Sequence, residues 1–392
     1  MAWGIYGATG VTGRLVVAEA VARGLRPVLL GRSEATLRPF AEQCGLDWRV
    51  AQADVIGSSA LDSAVADLVV VLNAAGPFSI TVSAVLESCL RGGTSYLDLS
   101  NELDTVTHTY AMHSRALAAG VTVVPGVGFG TVASDAVLRR VSDALPGADV
   151  LQVALLAGNA PGGPATRDSV LAVLTSGAAW YRLGKVRRAR LGTGVQSIST
   201  PRGRRSVVPI GTGDLAAAAR SLATGASTNE GHLTGSASVI SASVALAVPA
   251  LVLRWVLPPL GAVLRTGIPQ WLLKRAERVK LPTRGVGSLA FMTTLRARSR
   301  STPPRPRTYS SHAWARATER GGRSVTAWLD TGEGYAFSAH AAVSAVESVL
   351  AGTASGAFTP SQAFGADFAL RVPGTHLVML NEKGEPDATA QS

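Results

Sequence analysis

Cysteine is nearly absent from this 392-residue sequence, with Cys44 and Cys89 as the only two. Two thiols cannot build a disulfide framework. Both fall in stretches that read as helix, so they are expected as buried small hydrophobes in a reducing compartment. Histidine is scarce at six residues, and no His, Cys or carboxylate cluster has metal-ligand spacing, so no metal is expected. Aromatic residues make up 5% of the chain and none interleave with the arginines of Leu295 to Ser301, which argues against a base-stacking surface and a nucleic-acid partner. An uninterrupted apolar run of membrane-spanning length is missing too. The most apolar segment, Val239 to Leu264, is broken by Pro249, Pro258 and Pro259 and carries Arg254 near its centre, so it does not read as a membrane span. Three readings stay open for it: a helix lining an apolar substrate pocket, an ordinary core helix, or an interfacial membrane contact. The basic run Lys274 to Arg284 that follows keeps the last of these in play. No signal peptide is expected, because foldable sequence begins at residue 3, and the expected location is cytoplasmic, with membrane association as the variant.

What is present is apolar and unevenly charged. Hydrophobic residues are 47% of the sequence, ample for a core, and 392 residues suit two domains. Residues 1–150 hold 10 Lys/Arg against 14 Asp/Glu, whereas the remainder holds 27 against 12. The basic excess therefore belongs to the second part of the chain. An anionic substrate, an acidic partner and a membrane surface all fit such an excess, as does a surface that simply favours arginine.

The stretch W-G-I-Y-G-A-T-G-V-T-G-R-L, residues 3–15, runs from a β-favouring segment into Gly7, Gly10 and Gly13 and on into an alanine- and valine-rich helix. Strand, glycine turn and helix in that order form an anion site, because glycine lets backbone approach a phosphate and the free N–H groups of the helix start point at it. The spacing is G-x-x-G-x-x-G, a variant of the commoner dinucleotide fingerprint. A second strand, Arg26 to Leu30, ends in Gly31-Arg32-Ser33, where a dinucleotide domain reads the adenosine ribose. No acid stands at residues 28 to 33, so Arg32 and Ser33 favour the 2′-phosphate of NADP over NAD. Arg14 offers a second positive charge. Asp54 closes a third strand and reads either as an adenine contact or as a helix cap. Val69 to Leu72 is continuously apolar, as a parallel strand buried on both faces should be, and ends in Asn73-Ala74-Ala75-Gly76-Pro77-Phe78. A fifth strand ends in the polar cluster Asp98, Ser100, Asn101 and Glu102, a helix spans Thr107 to Ala119, and a sixth strand ends at Val124. From Val150 the texture changes to short alternating runs that suit an antiparallel sheet. Leu295 to Ser301 places Arg296, Arg298 and Arg300 on one face of a charged edge strand.

These motifs resemble the saccharopine dehydrogenase-like oxidoreductases, the group that includes trans-acting enoyl reductases. The matching stretches are G-A-T-G-V-T-G-R (7–14), L-G-R-S (30–33), N-A-A-G-P-F (73–78), Y-L-D-L-S-N-E (96–102), V-P-G-V-G-F-G-T-V-A-S-D (124–135), G-Y-A-F-S-A-H-A-A (334–342) and T-P-S-Q-A-F-G-A-D-F (359–368). The resemblance implies an α/β fold: an N-terminal Rossmann domain with a doubly wound parallel sheet (1–130), and a second α+β domain with a mainly antiparallel sheet for substrate or dimerisation (131–338). A C-terminal helix and segment (339–380) would return to the Rossmann domain, with a disordered tail (381–392). Two departures stand out. The usual T-G-E is Ser100-Asn101-Glu102, and the usual G-F-D is Gly128-Phe129-Gly130, which removes a carboxylate beside the presumed site.

The expected site therefore holds NADP through Gly7, Thr9, Gly10, Val11, Thr12, Gly13, Arg32, Ser33, Asp54, Ala75, Gly76 and Pro77, with Asn101 and Glu102 as the catalytic candidates. Glu102 reads equally as a helix-start carboxylate. Tyr181-x-x-x-Lys185, with Ser169 upstream, mimics a proton relay but lies well past the Rossmann domain and reads as coincidence. The expected activity is hydride transfer from NADPH to a conjugated C=C, or less readily a C=N, of a hydrophobic acyl or polyketide-like substrate, free or on an acidic carrier protein. The competing reading is a dinucleotide-binding scaffold or redox sensor without turnover, peripheral to a membrane. A homodimer through the second domain is a further expectation. Removing the charge of Arg32 should cost NADPH binding about 1–3 kcal/mol, the worth of a charged hydrogen bond, and leave NADH binding unchanged. Fluorescence titration of both nucleotides against wild type and Arg32→Ala measures this, and equal losses for the two would remove Arg32 from 2′-phosphate recognition.

Overall fold

The computed structural model describes residues 2–51, 58–158, 177–221, 237–246, 250–265, 310–381 and 385–386. Strands and helices alternate at first: β1 (Trp3–Tyr6), α1 (Val11–Ala22), β2 (Val28–Gly31), α2 (Glu34–Cys44), β3 (Trp48–Val50), α3 (Ser59–Val65), β4 (Val70–Asn73), α4 (Phe78–Gly92), β5 (Ser95–Asp98), α5 (Leu103–Ala111), α6 (His113–Ala118) and β6 (Thr122–Val124). Parallel pairing joins these strands in the order 3-2-1-4-5-6. The central strands β1, β4 and β5 are buried along their whole length, which is what helices on both faces of a parallel sheet require. The order reverses between β1 and β4, and the crevice at such a reversal is where open α/β sheets bind ligands.

The rest of the chain supplies α7 (Phe129–Ala144), β7 (Val150–Leu156), β8 (Ala178–Arg182), β9 (Lys185–Ala189), β10 (Gln196–Ile198), β11 (Arg205–Pro209), α8 (Gly213–Ser221), β12 (Val239–Leu246), α9 (Ala250–Arg265), β13 (Ser310–Thr318), β14 (Ser324–Glu333), α10 (Gly334–Ala351), β15 (Gly356–Ala357), α11 (Pro360–Phe364) and β16 (His376–Leu380). A second sheet of nine strands runs 10-11-12-7-13-14-16, with the β8–β9 hairpin joined to β12. All its pairings are antiparallel except β12 with β7. The segment after residue 339 divides between the sheets. Most of α10 lies there and packs on α1, and β15 extends the first sheet beside β6, whereas β16 pairs with β14 in the second.

Two local expectations change, and the reading of Tyr181 and Lys185 as a coincidence agrees with the structure. The helix expected over Thr107 to Ala119 is two helices that meet at Met112. The second starts at His113, whose ring is tied to β15 by Ala357 N–H donating to its Nδ1 at 3.0 Å. Tyr181 and Lys185 lie in a β-hairpin, with Tyr181 opposite Val186 and Lys185 opposite Arg182, so they do not share the helix face that a proton relay would use. Their upstream partner Ser169 lies outside the described residues, as do Asp54 and the stretch from Leu295 to Ser301. The apolar segment from Val239 to Leu264 is a strand and a helix rather than one helix. Its β12 half is the centre of the second sheet, and no described helix is long and apolar enough to cross a membrane.

Beneath the carboxyl ends of β4, β5 and β6 runs a chain of buried polar groups. Asn73 Nδ2 donates to Tyr96 Oη at 3.2 Å, and Tyr96 in turn donates to Asp98 Oδ2 at 3.0 Å. Asp98 Oδ1 accepts from Ser100 N–H, Ser100 Oγ and Gly126 N–H at 2.8, 2.7 and 2.9 Å. Asn73 Oδ1 accepts the N–H of Ala75 at 3.0 Å. Complete burial pushes the Asp98 carboxyl above the usual carboxylate range even though each of these donors pulls it down. Tyr96→Phe removes the link between Asn73 and Asp98 and leaves both short of a partner. It should cost about 1–3 kcal/mol of stability, the penalty for stranding buried polar groups. Urea denaturation measures it, and a change below about 0.5 kcal/mol would show that the network contributes little.

Candidate functional site

The glycine turn is built by close approach. Gly7 has φ +84°, a conformation that L side chains rarely adopt, and a Cβ there would stand 2.7 Å from Ala75 Cβ. The turn after β1 is thus pressed against the turn after β4, at the point where the strand order reverses. A Cβ on Gly13 would lie 2.2 Å from Gly7 O, so the first turn of α1 closes onto the strand end. No side chain caps α1 at Gly10, and its first turn holds no acid. The amides of Val11, Thr12 and Gly13 are among the helix-start donors without a helical acceptor, and the helix dipole adds positive potential there. Gly10 and Val11 are exposed, Thr9 and Thr12 half-buried. Ala75, Gly76 and Pro77 form the facing wall, all half-buried. A cradle of bare amides with no room for a side chain fits a pyrophosphate.

Next along the edge, β2 delivers Arg32 and Ser33. Arg32 is exposed, and no ion pair or hydrogen bond holds it among the described residues. Ser33 precedes α2 without a side-chain cap bond, and its carbonyl accepts from Leu37 N–H at 3.0 Å. Arg14 is engaged, with Nε donating to Thr9 O at 3.0 Å and its guanidinium 4.3 Å from the Phe40 ring centroid. It therefore braces the glycine turn, while Arg32 remains available to an anion.

At the end of β5 the two sheets meet. Asn101 carbonyl accepts from Gly213 N–H at 2.8 Å, and Glu102 bridges Thr212. Asn101 Nδ2 donates to Asp214 Oδ2 at 3.2 Å, and Ser134 Oγ donates to Asp214 Oδ1 at 3.0 Å. Asp214 is buried, and desolvation pushes its carboxyl above the usual range against the pull of Thr212, Asn101 and Ser134. Glu102 is half-buried at the start of α5 and gives that helix no side-chain cap bond. The amide nitrogen of Asn101 is thus committed to the seam. Its Oδ1 is buried without a hydrogen-bond partner.

This seam explains both departures from the expected motifs at once. A Cβ at Gly130 would lie 2.8 Å from Asn101 Nδ2 and 3.5 Å from Asp214 Oδ1. The side chain gained at 101 occupies the space that a side chain at 130 would need, and Asp214 brings a carboxylate to the same place from the second sheet's side. Asp214 and Ser134 were not among the sequence candidates. The only sequence signal for Asp214 is its solitude, as the sole acid between residues 150 and 229 apart from Asp168.

Residues 3–124 match the family model described as the saccharopine dehydrogenase NADP binding domain. The N-terminal domain is thus similar to saccharopine dehydrogenase NADP-binding domains. Trans-acting enoyl reductases are similar over the same part: that of Mycobacterium leprae is 34% identical over 138 residues and that of Mycobacterium tuberculosis 31% over 137, each match covering 33% of both chains. The chain thus spans about a third of the length of the curated relatives it matches. A saccharopine dehydrogenase-like oxidoreductase of Bos taurus is 26% identical over 149 residues, which is 33% of this chain and 35% of that one. Yeast saccharopine dehydrogenase (L-Glu forming), in its apo form, superposes over 97% of this chain and 100% of its own with a TM-score of 0.59 at 13% identity, so the two-sheet architecture is shared throughout.

The saccharopine dehydrogenase-type domain is locked to the remainder through the later motifs. Ser338 Oγ accepts the N–H of Phe129 at 3.0 Å, and the Phe129 and Phe337 rings meet edge to face at 6.0 Å. Asp135 accepts the N–H of Ser361 at 2.8 Å, joining V-A-S-D to T-P-S-Q. These stretches hold the second sheet against the nucleotide edge. If Asn101 excludes a side chain from position 130, the two positions are coupled. Gly130→Ala and Asn101→Gly should show a coupling energy of about 1–2 kcal/mol in a double-mutant cycle, with Gly130→Ala tolerated only when Asn101→Gly accompanies it. Additive effects in thermal or urea unfolding would separate the two sites.

Proposed function

We propose that this chain is an NADPH-dependent reductase that delivers hydride to a conjugated C=C of a hydrophobic acyl or polyketide-like substrate, free or carrier-bound. The observation that carries the reading is the glycine cradle facing Ala75 to Pro77 within a domain similar to saccharopine dehydrogenase NADP-binding domains. The enoyl class rests on the trans-acting enoyl reductases that this domain resembles.

NADPH, when bound, supplies the hydride, and the protein supplies placement. The amides at the start of α1 would hold the pyrophosphate and Arg32 the 2′-phosphate, both as full or partial positive charges facing phosphate oxygens. Ala75, Gly76 and Pro77 keep the floor beside β4 free of bulk. Glu102 and the Asn101–Asp214 pair stand one strand further on, at the end of β5, which pairs with β4. Orientation matters because a correctly held acceptor converts a bimolecular encounter into a unimolecular step. The half-buried Phe78 and Phe129 add apolar surface on the same edge. Asp214 supplies a carboxylate beside Gly130, where the family this chain resembles carries an acid, and this supports turnover over a scaffold role.

Absorbance at 340 nm tests the proposal with NADPH and a set of unsaturated acyl thioesters. Turnover of an α,β-unsaturated thioester is expected, with Glu102→Gln and Asp214→Asn lowering kcat about 10²-fold or more if they place the acceptor, at unchanged NADPH affinity. Tight NADPH binding without oxidation by any unsaturated thioester or imine would leave the non-catalytic reading standing.

A further inference from the structure

Helix α9 carries two apolar faces. Leu253 and Leu257 are buried against Leu191, Val195, Val208 and Ile210. On the other side Leu251, Val252, Trp255 and Val256 form a stripe with i, i+1, i+4, i+5 spacing, and Trp255 is 78% exposed. Scattered exposed leucines are ordinary, but four bulky apolar side chains on one helical stripe are a contiguous patch.

The setting of the helix indicates what covers that patch. Its inner face sits on the turn that joins two hairpins, β8–β9 and β10–β11. A Cβ at Gly192 in that turn would stand 2.9 Å from Leu257 Cβ, and Arg254 Nη2 donates to Val195 O at 2.9 Å. Both hairpins run along the same edge of β12 and both are basic. Arg182, Lys185, Arg187 and Arg190 are exposed on the first, with Leu183 at its tip 76% exposed, and Arg202 and Arg204 are exposed on the second. The described stretches 177–221, 237–246 and 250–265 hold eleven Arg/Lys against one acid, Asp214, which is buried in the seam. A twofold pairing of this face with a second copy would set those cations against their own images. An anionic partner is favoured, and an apolar stripe with an exposed tryptophan beside cations is the composition of an element that lies in a lipid headgroup layer.

We infer that the outer face of α9 and the two flanking basic hairpins form a docking surface for an anionic lipid bilayer, on which the protein lies without spanning it. The bilayer would receive Leu251, Val252, Trp255 and Val256 among its upper acyl carbons, while the hairpin cations meet lipid phosphates. No described helix is long and apolar enough to cross the bilayer.

Flotation of the full chain with vesicles of phosphatidylcholine alone, or mixed equally with phosphatidylglycerol, tests the inference. Binding is expected to the mixed vesicles and to weaken with added salt. Trp255→Gln with Leu251→Gln should lower the partition coefficient about tenfold or more, and Arg187→Gln and Arg190→Gln about fivefold each. Retained NADPH binding and an unchanged melting curve establish that each variant is folded. Trp255→Phe identifies the tryptophan signal quenched by nitroxide-labelled lipid. Absence of flotation with the mixed vesicles, or equal binding to the uncharged ones, would overturn the inference. So would self-association in sedimentation velocity that Trp255→Gln abolishes, since a second copy would then own the face.

Discussion

The nucleotide edge of this protein depends on one desolvated carboxylate. Asp98 lies at the end of β5 with no access to water, and it collects donors from its own strand exit, from the turn after β6 and from Tyr96, which passes the connection to Asn73 at the end of β4. Three neighbouring strands therefore end at a common level because a buried acid needs all of their donors. Burial alone would drive such a group towards its neutral form, and only a full set of partners makes the site tolerable. The crevice opens beside this network, so the flatness of its floor is a consequence of electrostatics as much as of strand packing.

From that floor the rest follows by close approach. The turn carrying Gly7 can touch the turn carrying Ala75 because neither brings a side chain to the meeting point. The seam between the sheets follows the same logic with polar groups. Asn101, Ser134 and Asp214 satisfy one another across elements that come from different sheets, and Gly130 leaves the space they need. A substitution at one place in this seam has consequences at the others, which is why two departures from a shared motif occur together.

The sequence was informative where local chemistry decides structure. Glycine spacing, the continuous apolar run of β4 and the missing acid after β2 each have a short-range physical cause, and the strand order, cradle and exposed Arg32 agree with them. It was less informative where partners come from far away. Asn101 reads as a strand-end residue beside the site, and only the structure shows that its amide faces Asp214, 113 residues later. Tyr181 and Lys185 imitate a helical pair because four-residue spacing is the same string whether the chain turns as helix or doubles back as hairpin. The segment from Val239 to Leu264 misled for a related reason: a buried central strand and an amphipathic helix placed end to end give one apolar run. Motifs near the carboxyl end were visible as motifs, but only the structure reveals that Ser338 and Ser361 are ties between elements.

Residues 334–380 serve both sheets. Helix α10 covers α1, anchored by Arg23 to Glu347 at 2.7 Å and to Ser344 at 3.0 Å; β15 occupies the edge beside β6, and β16 closes the second sheet. During synthesis residues 3–124 emerge before the elements that complete them, with an unpaired strand edge beside β6 and a bare flank on α1. The pieces that complete them are made only after both long strands of the second sheet. Completion of the first sheet and cover for α1 therefore wait on residues 334–357, which follow the second sheet's long strands in the chain.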